Sequence, residues 1–264
     1  MKRNLFTLLT LCLVLGQGGM PAAEGDDEWP GFRGPTGQGL STATNLPIEW
    51  SATRNVAWKR AVPGTGWSSP VVYRGRVYLT SAVAAGSESK DHALVTLCLD
   101  AGTGRDIWSR QIFVQDGVSS VPIHEKNSHA SPTPLIEGER LYVHFGHQGT
   151  ACLDLKGKVI WENRDIQFDP GWGNGGSPIV ADDALIFSCD GRTEQFVIAL
   201  DKKTGKVLWK TPRPMIENQL KYSFCTPLLI EFGGRRQVVF PATDVVISYE
   251  PETGKEIWRV RYVG

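Results

Sequence analysis

Ala199-Leu-Asp-Lys-Lys-Thr-Gly-Lys-Val-Leu-Trp209 carries the reading of this chain. Its second half, a glycine, a basic residue, any residue, a branched aliphatic and a tryptophan, occurs four times. The other copies are Gly104-Arg-Asp-Ile-Trp108, Gly157-Lys-Val-Ile-Trp161 and Gly254-Lys-Glu-Ile-Trp258. Successive tryptophans lie 53, 48 and 49 residues apart. A near-constant period of about 50 residues means one supersecondary unit used repeatedly, so the repeat sets the architecture before any other feature does.

Upstream of each tryptophan the same order of parts recurs. A short apolar run ends in an acidic residue: Leu97-Cys-Leu-Asp100, Cys152-Leu-Asp154, Ala199-Leu-Asp201 and Ser248-Tyr-Glu250. The acidic side chain can accept backbone N–H groups in the following turn, and the closing glycine can take positive φ. Before that run lie two shorter ones joined by Gly75, Gly138, Asp182-Asp183 or Gly233-Gly234, which reads as a hairpin. Each unit opens on a hydroxyl-proline step: Ser69-Pro-Val-Val-Tyr73, Ser131-Pro-Thr-Pro-Leu-Ile136, Ser177-Pro-Ile-Val-Ala181 and Thr226-Pro-Leu-Leu-Ile230. Proline at a strand start costs no interior ladder bond. Four short antiparallel strands per unit describe a propeller blade. The expected fold is therefore all-β, with four complete blades at about 67–110, 129–163, 175–211 and 223–262. Trp58, Trp108, Trp161, Trp209 and Trp258 are read as structural wedges between blades.

The segment Asn55-Val-Ala-Trp-Lys-Arg60 looks like a fourth strand without its first three. Such a strand completes a last blade built from the other end of the chain, yet four whole units already account for the sequence. A partial or open ring is expected, from half of an assembly or a piece of a longer chain. Its open faces would be covered by a partner or by self-association.

The first residues read as a secretory signal over 1–23: basic Lys2 and Arg3, apolar Leu5–Leu15, and small residues ending at Ala22-Ala23. Leu11 stands before Cys12 where a lipid-attachment site has a small residue. The apolar run is too short for a bilayer span. Residues 24–54 form an N-terminal extension and 55–264 the repeats. A secreted or periplasmic location is expected, with no membrane span in the mature chain. Removing the leader leaves 26 basic and 28 acidic residues, a net charge of −2 without a basic stripe, which argues against a nucleic-acid partner. Of the remaining cysteines, Cys98 and Cys152 read as small buried strand residues, and Cys189 could meet Cys225 across a blade boundary.

Together these residues resemble the pyrroloquinoline quinone (PQQ)-like propeller repeat. The resemblance covers about residues 55–262. The opening Trp29-Pro-Gly-Phe-Arg-Gly-Pro-Thr-Gly-Gln-Gly-Leu40 resembles the start of secreted bacterial propellers of that kind. It implies seven or eight blades in a complete ring. It also implies one of two activities: a non-catalytic role, as in the propeller of the outer-membrane assembly machine, or an alcohol dehydrogenase with PQQ and Ca²⁺. The dehydrogenases pair adjacent cysteines near the cofactor, and no two cysteines are adjacent here. Asp190 is the acidic residue to test first if activity appears.

A ligand site is expected where the loops that lead into the four first strands converge. They offer Trp67 and Ser68, Asn127 and His129, Trp172 and Asn174, and Tyr222 and Ser223 as an aromatic-rimmed funnel. The occupant is expected to be a protein or peptide of the envelope. A glycan is an alternative, since aromatic rims also stack on sugars. Four of the five histidines fall at 124, 129, 144 and 147, but His144 and His147 point to opposite faces of an extended strand, and no metal site is expected. There is no nucleophile–base motif, phosphate loop or zinc spacing.

Overall fold

The computed structural model describes residues 28–86, 90–116, 123–192, 194–214 and 222–262. The proposed leader, residues 1–23, lies outside them. Four sheets of four antiparallel strands follow one another in chain order. Blade 1 is β1 (Val71–Tyr73), β2 (Arg76–Ala84), β3 (His92–Asp100) and β4 (Asp106–Gln115). Blade 2 is β5 (Leu135–Glu137), β6 (Arg140–His144), β7 (Thr150–Asp154) and β8 (Val159–Asn163). Blade 3 is β9 (Ile179–Ala181), β10 (Ala184–Asp190), β11 (Gln195–Asp201) and β12 (Val207–Pro212). Blade 4 is β13 (Leu228–Phe232), β14 (Arg235–Ala242), β15 (Val245–Tyr249) and β16 (Glu256–Arg261). Each strand pairs only with its sequence neighbours. This is an all-β propeller arc of four blades that does not close into a ring.

The second and third strands of blades 2 and 3 are apolar on both faces because a sheet packs on either side of them, whereas blades 1 and 4 have one such neighbour each. Three buried clusters result. Val71, Tyr78 and Cys98 meet Leu141 and Leu153 between blades 1 and 2. Tyr142 and Trp161 meet Leu185, Phe196 and Ile198 between blades 2 and 3. Ile186, Val197 and Ala199 meet Val238, Phe240 and Tyr249 between blades 3 and 4. Cys98, Cys152 and Cys189 are buried, Cys225 is exposed, and all four are free, so the possible Cys189–Cys225 bridge is absent. Burial raises the Cys98 and Cys152 thiols to about 11, so both are neutral packing groups.

A junction of fixed chemistry joins consecutive blades. The turn after each third strand is held by its acidic residue. Asp201 Oδ1 accepts from the Thr204 N–H at 2.7 Å and the Thr204 hydroxyl at 2.8 Å, while Gly205 N donates to Asp201 O. These bonds hold the Asp201 carboxyl below its usual range. Gly205 has φ +73°, and the Trp161 ring of the preceding blade lies flat against it, where a β-carbon would collide. The indole N–H of Trp161 donates to Lys202 O in the same turn at 3.1 Å. The same pairing places Trp108 on Gly157 with Leu155 O, and Trp209 on Gly254 with Pro251 O.

Opposite each tryptophan across the sheet stands a small residue: Cys98, Cys152, Ala199 or Ser248. In all four blades the register shifts immediately after that residue. A bulge at this point rotates the fourth strand and aims the indole at the next blade.

Asn55–Arg60 is not a strand. No described strand lies beside it to supply ladder bonds. Trp58 nevertheless takes the junction position on blade 1, its ring on Gly104 and its N–H on Ala101 O at 2.8 Å. At the other end Trp258 faces no further turn among the described residues, and its N–H turns inward to Gln237 Oε1.

Candidate functional site

The first strands run side by side around the axis, and a hydroxyl ladder sets their spacing. Ser69 N donates to Thr133 Oγ1 at 3.0 Å, Thr133 N to Ser177 Oγ at 2.9 Å, and Ser177 N to Thr226 Oγ1 at 3.0 Å. The opening step of blade 2 is therefore Thr133-Pro134, two residues later than Ser131-Pro132. Ser131 serves instead in a local knot with Asn127 and Ser128.

Above this ladder the entrance loops bring together part of the expected set. Trp172 and Tyr222 stack at 5.4 Å between ring centres, and Tyr222 and Phe224 at 6.5 Å. His124 also packs on Trp172, at 5.5 Å. Asn127 anchors the loop through Nδ2 to Trp172 O at 3.0 Å. His124, Lys126, Asn127, Trp172, Gly175 and Phe224 line a cavity of about 450 Å³, and Tyr222 packs on both of its aromatic rings. Among the described residues the lining is two aromatic rings, an imidazole, the Asn127 amide and one ammonium, with no carboxylate. Glycine lets the loop crowd in, since a β-carbon at Gly171 would enter the Tyr222 ring.

The other expected residues lie elsewhere. Ser68 ties its hydroxyl to Thr80 O, and Ser223 ties its own to Pro241 O. Asn174 packs over Gly146. Trp67 is 59% exposed and outside the aromatic stack. His129 packs on His92 at 4.6 Å with the rings tilted, and burial together with the neighbouring imidazoles lowers it to about 4. His144 is buried on Phe187 and bonded to Thr150 Oγ1 at 2.8 Å, and burial lowers it to about 3. Sequence reading missed His124, Lys126 and Phe224 as cavity residues. The signal was their position beside loop residues already singled out.

Asp190 ends β10 almost fully buried, in an ion pair with Arg213. A carboxylate closed in this way is a structural charge and is not placed to take a proton from a substrate. Among the described residues no three His, Cys, Asp or Glu side chains converge as metal ligands. Among the described lining residues the side-chain oxygen that could meet a hard cation is the Asn127 amide, which already accepts from Ser128 N and Ser131 Oγ.

The sequence profile of the family described as outer membrane protein assembly factor BamB matches residues 38–193 and 193–264. The chain belongs to that family. No curated protein matches this BamB-family chain. Among solved structures, quinohemoprotein alcohol dehydrogenase from Comamonas testosteroni superposes with TM-score 0.56 at 16% identity, covering 89% of this chain and 41% of that one. Europium-containing methanol dehydrogenase gives TM-score 0.54 at 15% identity, over 74% of this chain and 41% of that one. BamB from Moraxella catarrhalis gives 0.47 at 18% identity, over 78% and 54%. At these identities the likeness shows the fold alone. The chain spans about half or less of each of these proteins. No described helix is long and apolar enough to cross a membrane.

Proposed function

We propose that this BamB-family arc is a non-catalytic scaffold of the cell envelope that holds a protein or peptide partner in the aromatic funnel. The observation that carries the reading is a cavity walled by Trp172 and Phe224, both packed on Tyr222, whose described lining has one ammonium and no carboxylate. Rigid aromatic rings supply most of the binding energy in peptide and protein interfaces at low entropic cost. The family's description supports an envelope partner, and an N-terminal leader would deliver the chain there.

The test is selection of a random peptide library on the purified chain, with the Trp172→Ala variant as counter-selection. Enriched peptides should lose about tenfold or more in affinity on Trp172→Ala. Retention of those peptides by the variant would remove the funnel from the reading. A glycan array run in parallel separates the sugar alternative. Saturable binding of PQQ with Ca²⁺ would favour the quinoprotein instead.

A further inference from the structure

The segment that precedes the family match is part of the fold, and it lies across the arc. Trp29 pairs with β1 as a one-residue antiparallel strand: Trp29 N to Val72 O at 2.7 Å, and Val72 N to Trp29 O at 3.0 Å. Pro30 O then accepts from Ile136 N of β5 at 2.7 Å. Gly31 lies against Leu135, and a β-carbon there would stand 2.8 Å from Leu135 Cδ1. The chain next folds into tight turns, Gly34 N to Gly31 O and Gly37 N to Gly34 O, with the Trp29 indole flat on Gly34. Gly37 reaches Leu228 of β13. One short segment therefore spans the inner strands of blades 1 to 4. Between it and β5, β9 and β13 lies a cavity of about 320 Å³.

Two features mark this as recognition and not as ordinary chain packing. Inner strands of propeller blades present a row of unpaired backbone groups toward the axis, and an extended peptide satisfies them by strand addition. Among the described residues the connection that follows, Ser41–Asn45, makes no hydrogen bond to the blades, only a local one between Ala43 N and Ser41 Oγ. The segment is thus held by its own contacts and not by its tether.

We propose that the inner edges of β1 and β5, continued over β9 and β13, form a peptide-binding groove whose resident ligand is the chain's own Trp29–Gly37 segment. The groove reads an extended Trp-Pro-Gly start: proline presents its carbonyl without an N–H to bury, and glycine lies on Leu135 where any β-carbon would have to displace the Leu135 Cδ1 methyl. This site is separate from the funnel, and its standing does not depend on the function proposed for the funnel.

The test inserts a site-specific protease site after Thr44 in the full chain and cleaves the folded protein. The released fragment should co-elute with the body on gel filtration. In the Gly31→Leu version, and independently in Trp29→Ala, the fragment should separate and leave a body with unchanged far-UV circular dichroism. That body should bind an added fluorescent peptide spanning residues 28–40, and the Gly31→Leu peptide should bind on the order of tenfold more weakly or worse. Separation of the unmodified fragment from a folded body would overturn the groove. So would retention of both variant fragments. Unfolding of the body once the fragment leaves would make the segment part of the core and not a ligand, which also overturns it.

Discussion

Truncating Trp161 removes a ring that is buried against Gly205 and an N–H bond to Lys202 O, both on a neighbouring blade. Trp161→Ala should cost about 3–5 kcal/mol, the usual range for emptying a buried aromatic site. Trp258→Ala should cost clearly less, because among the described residues that ring meets no neighbouring turn and its N–H bonds to Gln237 of its own blade. Urea midpoints of the two variants check the contrast, and equal losses would mean that the junction contact is not what the ring contributes. The tryptophans and their turns were legible because their chemistry is local in sequence. Asp201, Thr204 and Gly205 sit within five residues, and each side chain announces its bond. The small residue opposite each tryptophan was not legible. Cys98, Cys152, Ala199 and Ser248 share no chemistry beyond size, and the bulge beside them is a property of two paired strands. The partner of Asp190 was not legible for a related reason: it is Arg213 from beyond β12, which pairs with the end of β10 only through the folded sheet.

At the scale of elements, the hydroxyl ladder is what spaces the first strands. Thr133 both accepts from Ser69 N and, through its own N–H, donates to Ser177 Oγ. Thr133→Val keeps the shape, keeps the second bond and leaves the Ser69 N–H without its acceptor. A loss of about 0.5–1.5 kcal/mol is expected, the net worth of one hydrogen bond at a part-buried donor. Thermal unfolding of the variant, with Thr133→Ser as a control that restores the acceptor, measures it. Strand order and blade limits were readable from the repeat, since every pairing is between sequence neighbours. Asn55–Arg60 resembled a strand because it carries the tryptophan and alternation of one. A strand, however, needs a neighbour for its ladder, and only the indole found its place. The funnel was half readable. Loop positions pointed to Trp172, Tyr222 and Asn127, but the way each loop folds back decided that His129 would turn to His92 and Asn174 to Gly146.

For the molecule as a whole, stability should depend on pH through its buried imidazoles. His144 and His129 are lowered from 6.5 to about 3 and about 4, chiefly by burial. The unfolded chain then binds more protons than the folded one between these values and 6.5. Their contribution is complete above about pH 6.5 and is lost as pH falls from there toward 3 or 4. The urea midpoint should decline across that window, and His144→Gln should flatten the decline. A midpoint that stays level from pH 6.5 to 4.5 would contradict the burial of these rings. The same whole-molecule view gives the junction a further meaning. Each unit carries its tryptophan at one end of its last hairpin and the receiving turn at the other, so every junction is made by the same donor and acceptor, always in one direction along the chain. A duplicated or deleted unit would leave each remaining seam chemically unchanged. Recombination within the gene can therefore lengthen or shorten such an arc in whole repeats without any compensating substitution, and loop sequences can diverge freely on top of seams that are never renegotiated.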